Sequence, residues 1–202
     1  MPREVAIIDT GVANNASVRA LFERLGLQAR LTRDVEDAIE ADALVLPGVG
    51  AFGAGMGLLD ECGLREPIRE RVAQGRPTLC VCLGLQMLFE WSEESPGVAG
   101  LGVCAGGVTE FPDSVVRPQF GWNLVAAGAA DDGGYAYFAN TYRVTQAPEG
   151  WDVSWSEHGG RFVAAMRRGG VLACQFHPEL SGAYGARLVE SWLRTAEVGA
   201  PC

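Results

Sequence analysis

Short apolar runs alternate with amphipathic helical segments through the first half of this 202-residue chain, and this alternation constrains the possible fold most strongly. Residues 5–8 and 43–46 are continuous apolar runs, as expected for strands that are covered on both faces. Between them, apolar side chains recur at 18, 21, 22 and 25, which is the spacing of one helix face, and Gly26 ends it. The alternation predicts an α/β fold with a mainly parallel central sheet flanked by helices.

The remaining segments extend this pattern. Further strands are predicted at 28–31 and 78–81, and further helices at 34–39, along the face formed by 64, 68 and 72, and at 83–89. From residue 96 onward glycine, proline and short β-like runs dominate, which predicts added β-hairpins in the C-terminal half, before a final helix after Ser181. No repeat or linker interrupts the pattern, so we expect a single domain over residues 1–202.

Charge balance and the lengths of the apolar runs exclude several kinds of partner. Sixteen basic and twenty-five acidic residues give a net charge of -9, and no Lys or Arg run is present to follow a phosphate backbone. No apolar run approaches the length of about 20 residues that a membrane span needs. The N-terminus leads directly into the first strand without a signal-peptide pattern. We therefore expect a cytoplasmic protein that binds neither nucleic acid nor membrane.

The six cysteines do not suggest a disulfide framework or a metal site. They are Cys62, Cys80, Cys82, Cys104, Cys174 and Cys202. Their positions are scattered, and the spacings Cys80-x-Cys82 and Cys174-x-x-His177 differ from the paired knuckles of structural zinc sites. We expect reduced cysteines, no metal and no cofactor.

A candidate nucleophile stands at Cys82, between the predicted strand 78–81 and the helix that follows. With Gly84 two residues later, this is the layout of a nucleophile elbow, in which the helix N-terminus stabilises a thiolate. The backbone N–H of Leu83 is then placed to bind a developing oxyanion. The alternative from this segment alone is a cysteine that is merely buried among apolar residues.

A candidate base follows the predicted strand 171–175. His177 and Glu179 face the same way if the chain is extended, so the carboxylate can orient the imidazole as a thiol nucleophile requires. The alternative is a surface or capping histidine. The only other histidine, His158, lies in a predicted hairpin turn and is not expected to act in catalysis.

The glycine-rich segment 47–53 follows the strand 43–46 and is a candidate for backbone recognition. It lacks the residues of a phosphate loop and the spacing of a dinucleotide fingerprint. The Gly48–Val49 region is therefore assigned as a second oxyanion donor, because glycines allow close approach of backbone N–H groups. A plain glycine-rich turn remains the alternative, particularly at Gly53 and Gly55.

Six segments, spread over nearly the whole chain, have a recognisable order and separation. They are Ile8-Asp9 with Gly11 and Asn14, Leu46-Pro47-Gly48-Val49-Gly50-Ala51-Phe52, Cys82-Leu83-Gly84-Leu85-Gln86, Pro96-Gly97-Val98 with Gly100-Leu101-Gly102-Val103, Pro118-Gln119-Phe120-Gly121-Trp122-Asn123, and Gln175-Phe176-His177-Pro178-Glu179-Leu180-Ser181. Together they resemble the class I (triad) glutamine amidotransferases. The resemblance is closest to the glutaminase subunits of imidazole glycerol phosphate synthase, and segment 118–123 is the most specific to them. Family positions that differ here are Cys80 for glycine, Thr10 and Ala13 for tyrosine and glycine, and Asn140-Thr141 for His-Ser.

The resemblance implies a chemistry and a set of ligands. Cys82, His177 and Glu179 would form a catalytic triad that hydrolyses glutamine to glutamate and ammonia through a thioester. Gly48, Val49 and Leu83 would form the oxyanion hole, and Gly50, Gln86 and Glu94 would bind the glutamine. For Glu94, a solvated acid is the alternative.

The resemblance also implies a partner. The family passes its ammonia through a channel to a cyclase subunit with a (β/α)8-barrel fold, and glutaminase activity stays low until that partner is loaded. Such control requires an oxyanion peptide that is misaligned at rest. Asn14, Phe120, Trp122 and Tyr137 are the candidates for the docking face.

Three other functions compete with this interpretation. The chain could serve another synthase, making pyridoxal phosphate, anthranilate or GMP. It could be a binding subunit with an impaired triad, or a cysteine peptidase or γ-glutamyl hydrolase on a related scaffold. Co-purification with the barrel subunit, and activity on free glutamine rather than γ-glutamyl peptides, separate these alternatives.

Overall fold

A computed structural model of the chain describes residues 4–11 and 14–198, so Ala13 and Cys202 lie outside the described residues. The strands are β1 Glu4–Ile8, β2 Gln28–Thr32, β3 Ala43–Leu46, β4 Thr78–Val81, β5 Phe89–Ser92, β6 Cys104–Glu110, β7 Gln119–Val125, β8 Gly134–Asn140, β9 Tyr142–Arg143, β10 Asp152–Glu157, β11 Arg161–Arg168 and β12 Val171–Cys174. The helices are α1 Asn15–Arg24, α2 Val35–Glu40, α3 Phe52–Glu61, α4 Arg65–Ala73, α5 Leu83–Gln86 and α6 Gly182–Val198. In this described part of the chain, no helix has the length and hydrophobicity needed to cross a membrane.

A seven-stranded sheet in the order β10-β11-β12-β4-β3-β1-β2 forms the centre of the molecule. From β12 to β2 every pairing is parallel, whereas β11 and β10 continue the sheet as antiparallel strands. Smaller sheets, β5-β6-β9 and the hairpin β7-β8, lie beside it. The predicted parallel sheet with added hairpins is confirmed, and its central strands are buried along their whole length as their apolar runs predict.

Helices cover both faces of the central sheet. Side chains from α2, α3 and α4 pack on one face, against residues such as Leu44 and Cys80. Side chains from α1 and α6 pack on the other face, against residues such as Val45 and Leu79. Neighbouring residues of one strand thus belong to opposite layers, because side chains alternate along a strand.

Two predicted segments differ from the structure. Gly53 and Gly55 lie inside helix α3, not in a glycine-rich turn. The helix packs closely on α5 and the residue after it, and a Cβ at Gly55 would lie 2.9 Å from Met87 Sδ. The helix predicted at 83–89 ends after Gln86, and residues 89–92 form β5. The Leu88 carbonyl accepts hydrogen bonds from the N–H groups of residues 103 and 104, which draws the chain into the smaller sheet.

Candidate active site

The turn between β4 and α5 has the backbone geometry of a nucleophile elbow. Cys82 adopts φ 53° and ψ -106°, and it is the only non-glycine residue with positive φ in the described part of the chain. Its N–H donates to the Cys174 carbonyl at 2.7 Å, which ties the turn to β12. Positive φ is costly for a side chain with a Cβ, and such strain is concentrated at functional sites. The strand-to-helix turn predicted from the sequence is confirmed.

Glycines at two positions allow the elbow to sit against the end of β3. A Cβ at Gly84 would lie 2.1 Å from the Leu46 carbonyl oxygen, and a Cβ at Gly48 would lie 2.5 Å from Leu83 Cβ. Neither glycine has positive φ, so these positions are glycine because the two segments approach closely. This approach brings the segment after β3 alongside the candidate nucleophile.

His177 and Glu179 converge on Cys82 from the end of β12. His177 Nδ1 lies 2.9 Å from Glu179 Oε1, and the His177 and Glu179 side chains are only 7% and 3% exposed. His177 and Cys82 line the same cavity. The convergence was predicted for an extended chain, but a short 3-10 helix, Pro178–Leu180, brings the carboxylate to the ring.

The protonation of His177 is controlled by these two neighbours. Burial acts to lower the pKa of the imidazole, but hydrogen bonds with Cys82 and Glu179, and their charges, outweigh it and raise the pKa to about 10. These interactions favour the cationic form of the imidazole. An imidazolium beside the sulfur favours the thiolate and is ready to donate a proton.

The segment after β3 presents a carbonyl, not an N–H, to the elbow. The Leu83 N–H donates to the Gly48 carbonyl oxygen at 3.3 Å. That carbonyl therefore occupies the donor that was predicted to stabilise an oxyanion. Gly50, with φ 100°, is a position where the backbone takes a conformation that side chains rarely adopt.

A cavity of about 470 Å³ opens in front of Cys82. It is lined by Val49, Gly50, Ala51, Cys82, Leu83, Gln86, Glu94, Ala139, Asn140, Thr141, Tyr142 and His177. Most of the predicted site residues thus surround one cavity, with Glu179 behind His177. Another cavity, of about 430 Å³, lies between residues 128–133 and α6 and is lined by neither cysteine nor histidine.

Comparison with known proteins identifies the family. The glutamine amidotransferase class-I family matches residues 6–195. The chain belongs to the class-I glutamine amidotransferase family. The HisH subunit of imidazole glycerol phosphate synthase from Rhodopirellula baltica is 41% identical over 194 residues, covering 92% of this chain and 95% of its own. The HisH subunit from Symbiobacterium thermophilum is 38% identical over 198 residues, covering 94% and 93%.

Solved structures agree on the fold. A crystal structure of a glutamine amidotransferase has a TM-score of 0.77 at 24% identity and covers 96% of this chain and 98% of its own. A glutamine amidotransferase from Thermotoga maritima has a TM-score of 0.57 at 17% identity and covers 98% and 85%. At these identities the likeness concerns the fold alone.

Glu94 has a defined position in this amidotransferase. Its Oε2 accepts a hydrogen bond from the Phe52 N–H at 2.6 Å, at the first turn of α3, while the side chain lines the cavity. Asp and Glu are favoured at a helix N-terminus because the helix dipole is positive there. The alternative of a freely solvated acid is therefore wrong.

The predicted docking residues lie together except for Asn14. Phe120 and Trp122 are 73% and 58% exposed on β7, and the ring centroids lie 5.7 and 6.1 Å from that of Tyr137 on β8. We call Phe120, Trp122 and Tyr137 the aromatic patch. Asn14 caps α1 and accepts a hydrogen bond from the Ser17 N–H. Exposed aromatic side chains grouped in this way are typical of interaction surfaces.

His158 and Cys80, which the sequence analysis also discussed, are not among the residues that line the cavity. His158 Nε2 lies 3.0 Å from the Val116 carbonyl oxygen, and its ring packs edge-on against Phe111, so the prediction of a turn histidine is confirmed. Cys80 is buried in the layer opposite to that of Cys82, and burial raises the pKa of its thiol. Side-chain alternation thus separates the two cysteines despite their closeness in sequence.

Sequence reasoning missed two polar residues beside the nucleophile. The Gln175 side-chain Nε2 lies 3.7 Å from Cys82 Sγ, and Asn140 Nδ2 donates to the Tyr142 carbonyl at 2.9 Å at the cavity wall. Gln175 stands two residues before His177, and this same-face spacing could have indicated it. Asn140 was noted only as a departure from the family's His-Ser, which gave it no role at the site.

Proposed function

We propose that this amidotransferase is the glutaminase subunit of an imidazole glycerol phosphate synthase, which hydrolyses glutamine and supplies ammonia to a cyclase subunit. The observation that carries the proposal is the convergence of Cys82, His177 and Glu179 at one cavity. The HisH relatives, 38–41% identical over nearly their full lengths, support the choice of synthase. The proposal treats residues 1–202 as one cytoplasmic glutaminase domain that needs no cofactor.

The reaction uses the three residues in turn. The Cys82 sulfur forms a bond to the side-chain amide carbon of glutamine, and the carbonyl π pair moves to oxygen. When the carbonyl re-forms, the C–N bond breaks and ammonia leaves with a proton from His177, which Glu179 orients. Water then gives its proton to His177, its oxygen bonds to the carbon, and the S–C bonding pair returns to sulfur as glutamate departs.

The resting oxyanion hole supports control by a partner. The Leu83 N–H is bonded to the Gly48 carbonyl, so a second donor from the Gly48–Val49 peptide is available only after that peptide rotates. Removing a single oxyanion donor typically costs about 100- to 1,000-fold in rate. We infer that the free chain is a slow glutaminase and that partner binding favours the rotated peptide.

The cavity walls supply the groups that recognise glutamine. Gln86 uses its side-chain nitrogen on protein acceptors, and its oxygen is left for the substrate. Glu94 places a carboxylate on the same cavity, where it can pair with the α-ammonium group. Gly50 contributes backbone at the cavity edge.

The aromatic patch is the proposed docking face for the (β/α)8-barrel cyclase, and Asn14, which caps α1, is proposed as a separate contact. Tyr137 joins the patch to the site, because its carbonyl accepts the His177 N–H at 2.9 Å. Exposed aromatic side chains that become buried contribute most of the binding energy in many interfaces. A partner bound here would contact β8, the strand whose Tyr137 carbonyl accepts the hydrogen bond from the His177 backbone.

Trp122→Ala will weaken binding of the cyclase by about 30-fold or more, because loss of a buried aromatic hot spot costs about 2 kcal/mol or more. Trp91→Ala is the matched control, since Trp91 on β5 is similarly exposed, at 45%, but lies outside the patch. Titration calorimetry with the purified cyclase measures both. Equal losses in the two variants would contradict the assignment of the patch.

Glutamate production from glutamine tests the function directly. We expect slow turnover by the purified chain alone and a rise of about 100-fold or more when the cyclase and its nucleotide ligand are added. Stimulation by a different synthase subunit in place of the cyclase would assign the chain to that synthase. Turnover of γ-glutamyl peptides but not of glutamine would identify a hydrolase instead.

A further inference from the structure

Two side-chain amides connect the nucleophile to the cavity wall. Gln175 Nε2 lies 3.7 Å from Cys82 Sγ, and Gln175 Oε1 accepts a hydrogen bond from Gln86 Nε2 at 3.0 Å. Gln86 Nε2 also donates to the Tyr142 carbonyl oxygen at 3.0 Å. Gln175 is fully buried and Gln86 is 5% exposed, so these contacts are shielded from solvent.

The direction of this chain of hydrogen bonds is set at its far end. A backbone carbonyl such as that of Tyr142 only accepts, so Gln86 must present its NH2 group there. The second N–H of that group then points to Gln175, whose side-chain oxygen must accept the hydrogen bond. The Gln175 NH2 group is left facing Cys82. Inverting either amide would place two acceptors or two donors together, so Gln175 presents a donor to the sulfur.

Strand register places Gln175 beside the sulfur. Val81 pairs with Cys174 between β4 and β12, and the Cys82 N–H donates to the Cys174 carbonyl. The Gln175 N–H donates to the Ala164 carbonyl at 2.8 Å, which holds the residue on the far side as well. His177 follows at the same-face spacing. The sulfur therefore meets a fixed neutral donor and a base from one segment.

We propose that Gln175 is a catalytic residue whose amide N–H stabilises the Cys82 thiolate and links it to Gln86 at the glutamine site. The proposal rests on the assignment of Cys82 as the nucleophile. A donor at sulfur favours the form that carries the negative charge. It acts twice, on the attacking thiolate and on the thiolate that leaves when the thioester is hydrolysed. The Gln175 amide does not ionise at these pH values, so its hydrogen bond to the sulfur is the same whether His177 is protonated or neutral.

Several other titratable groups of the described residues lie near the sulfur. Cys174 is buried in the same layer, and burial raises the pKa of its thiol, which stays neutral. His177 lines the same cavity with Glu179 hydrogen-bonded to its ring, and Glu94 and Tyr142 also line the cavity. None of these is changed when Gln175 is replaced. A shift in the reactivity of Cys82 can therefore be assigned to the lost or altered hydrogen bond.

Alkylation of Cys82 by iodoacetamide, followed against pH in the purified full chain, tests the proposal without glutamine. Gln175→Met keeps the side-chain size but removes the donor, so the midpoint of the profile should move to higher pH and the rate at pH 7 should fall about 10- to 100-fold. Gln175→Glu should shift the midpoint further, because a carboxylate repels the thiolate. Gln119→Met, another buried glutamine, is the control and should leave the profile in place. The reagent's target is confirmed with Cys82→Ala.

The outcomes are distinct. A folded Gln175→Met protein with the wild-type alkylation profile would overturn the proposal, whatever its melting temperature. If that variant does not fold, Gln86→Met decides: it frees the Gln175 amide to turn, and an unchanged midpoint would overturn the proposal equally. In glutamine hydrolysis, Gln175→Met should lower kcat more than it alters KM. If the wild-type chain releases no glutamate even with the cyclase, the proposed function fails, while the alkylation profile still reports on Gln175.

Discussion

Replacing Cys82 with alanine will reduce glutamate formation by about 10,000-fold or more, to the level of the uncatalysed reaction with bound substrate. The sulfur supplies the bond that holds the glutamyl group after ammonia leaves, and the described residues around the cavity offer no second thiol. Without the thiol, water would have to attack the unactivated amide directly, in place of thioester formation and thioester hydrolysis. The measurement is glutamate release by the chain with the proposed cyclase partner and that partner's nucleotide ligand.

Cys80→Ala provides the matched control for this prediction. Cys80 lies two residues away on β4 and is buried in the opposite layer, so its removal tests whether losing a cysteine there perturbs the sheet. We expect turnover within about threefold of wild type and a modest loss of stability, from one buried sulfur. Comparable inactivation of both variants, with folding intact, would contradict the assignment of Cys82.

Gly84→Ala will lower the free energy of unfolding by about 3 kcal/mol and abolish most of the activity. The added Cβ would lie 2.1 Å from the Leu46 carbonyl oxygen, a backbone atom that moves only if the end of β3 moves. That shift would displace the elbow from the segment carrying Gly48. Urea unfolding followed by circular dichroism gives the stability, and glutamate release gives the activity.

Gly57→Ala is the corresponding control in helix α3. A Cβ there has no neighbour within 4 Å, and the glycine does not have positive φ. Alanine should therefore raise the stability by about 0.5–1 kcal/mol, the usual difference between the two residues inside a helix. If the two alanine variants changed stability alike, close packing of the elbow would not explain the glycine at position 84.

Much of the fold can be predicted from the sequence, because buried strands and amphipathic helices require different spacings of apolar side chains. The parallel core strands, the helix face at 18–25 and the short helix predicted at 34–39 all occur where those spacings place them. Helix α3 was missed because it contains Gly53, Gly55 and Gly57, and glycine by itself disfavours a helix. Its helical state depends on packing against α5, which lies some thirty residues away.

The triad, likewise, follows from local sequence and from the resemblance. Residue types at Cys82, His177 and Glu179 identify a thiol, a base and an orienting acid, and parallel strand order places them at one sheet edge. The orientation of the Gly48 carbonyl toward Leu83, and the amide of Gln175 at the sulfur, had no counterpart in the pattern. Both are contacts between segments that follow separate strands.

The sequence by itself determined the core strands, the layering of the sheet and the candidate residues of the triad, since each depends on near neighbours in the chain. Only the tertiary structure decided which way the Gly48–Val49 peptide faces, which side-chain amide lies beside the Cys82 sulfur and which aromatic side chains stay exposed. These properties depend on strand register and close packing between distant segments, where a shift of a single residue exchanges donor for acceptor and buried for exposed.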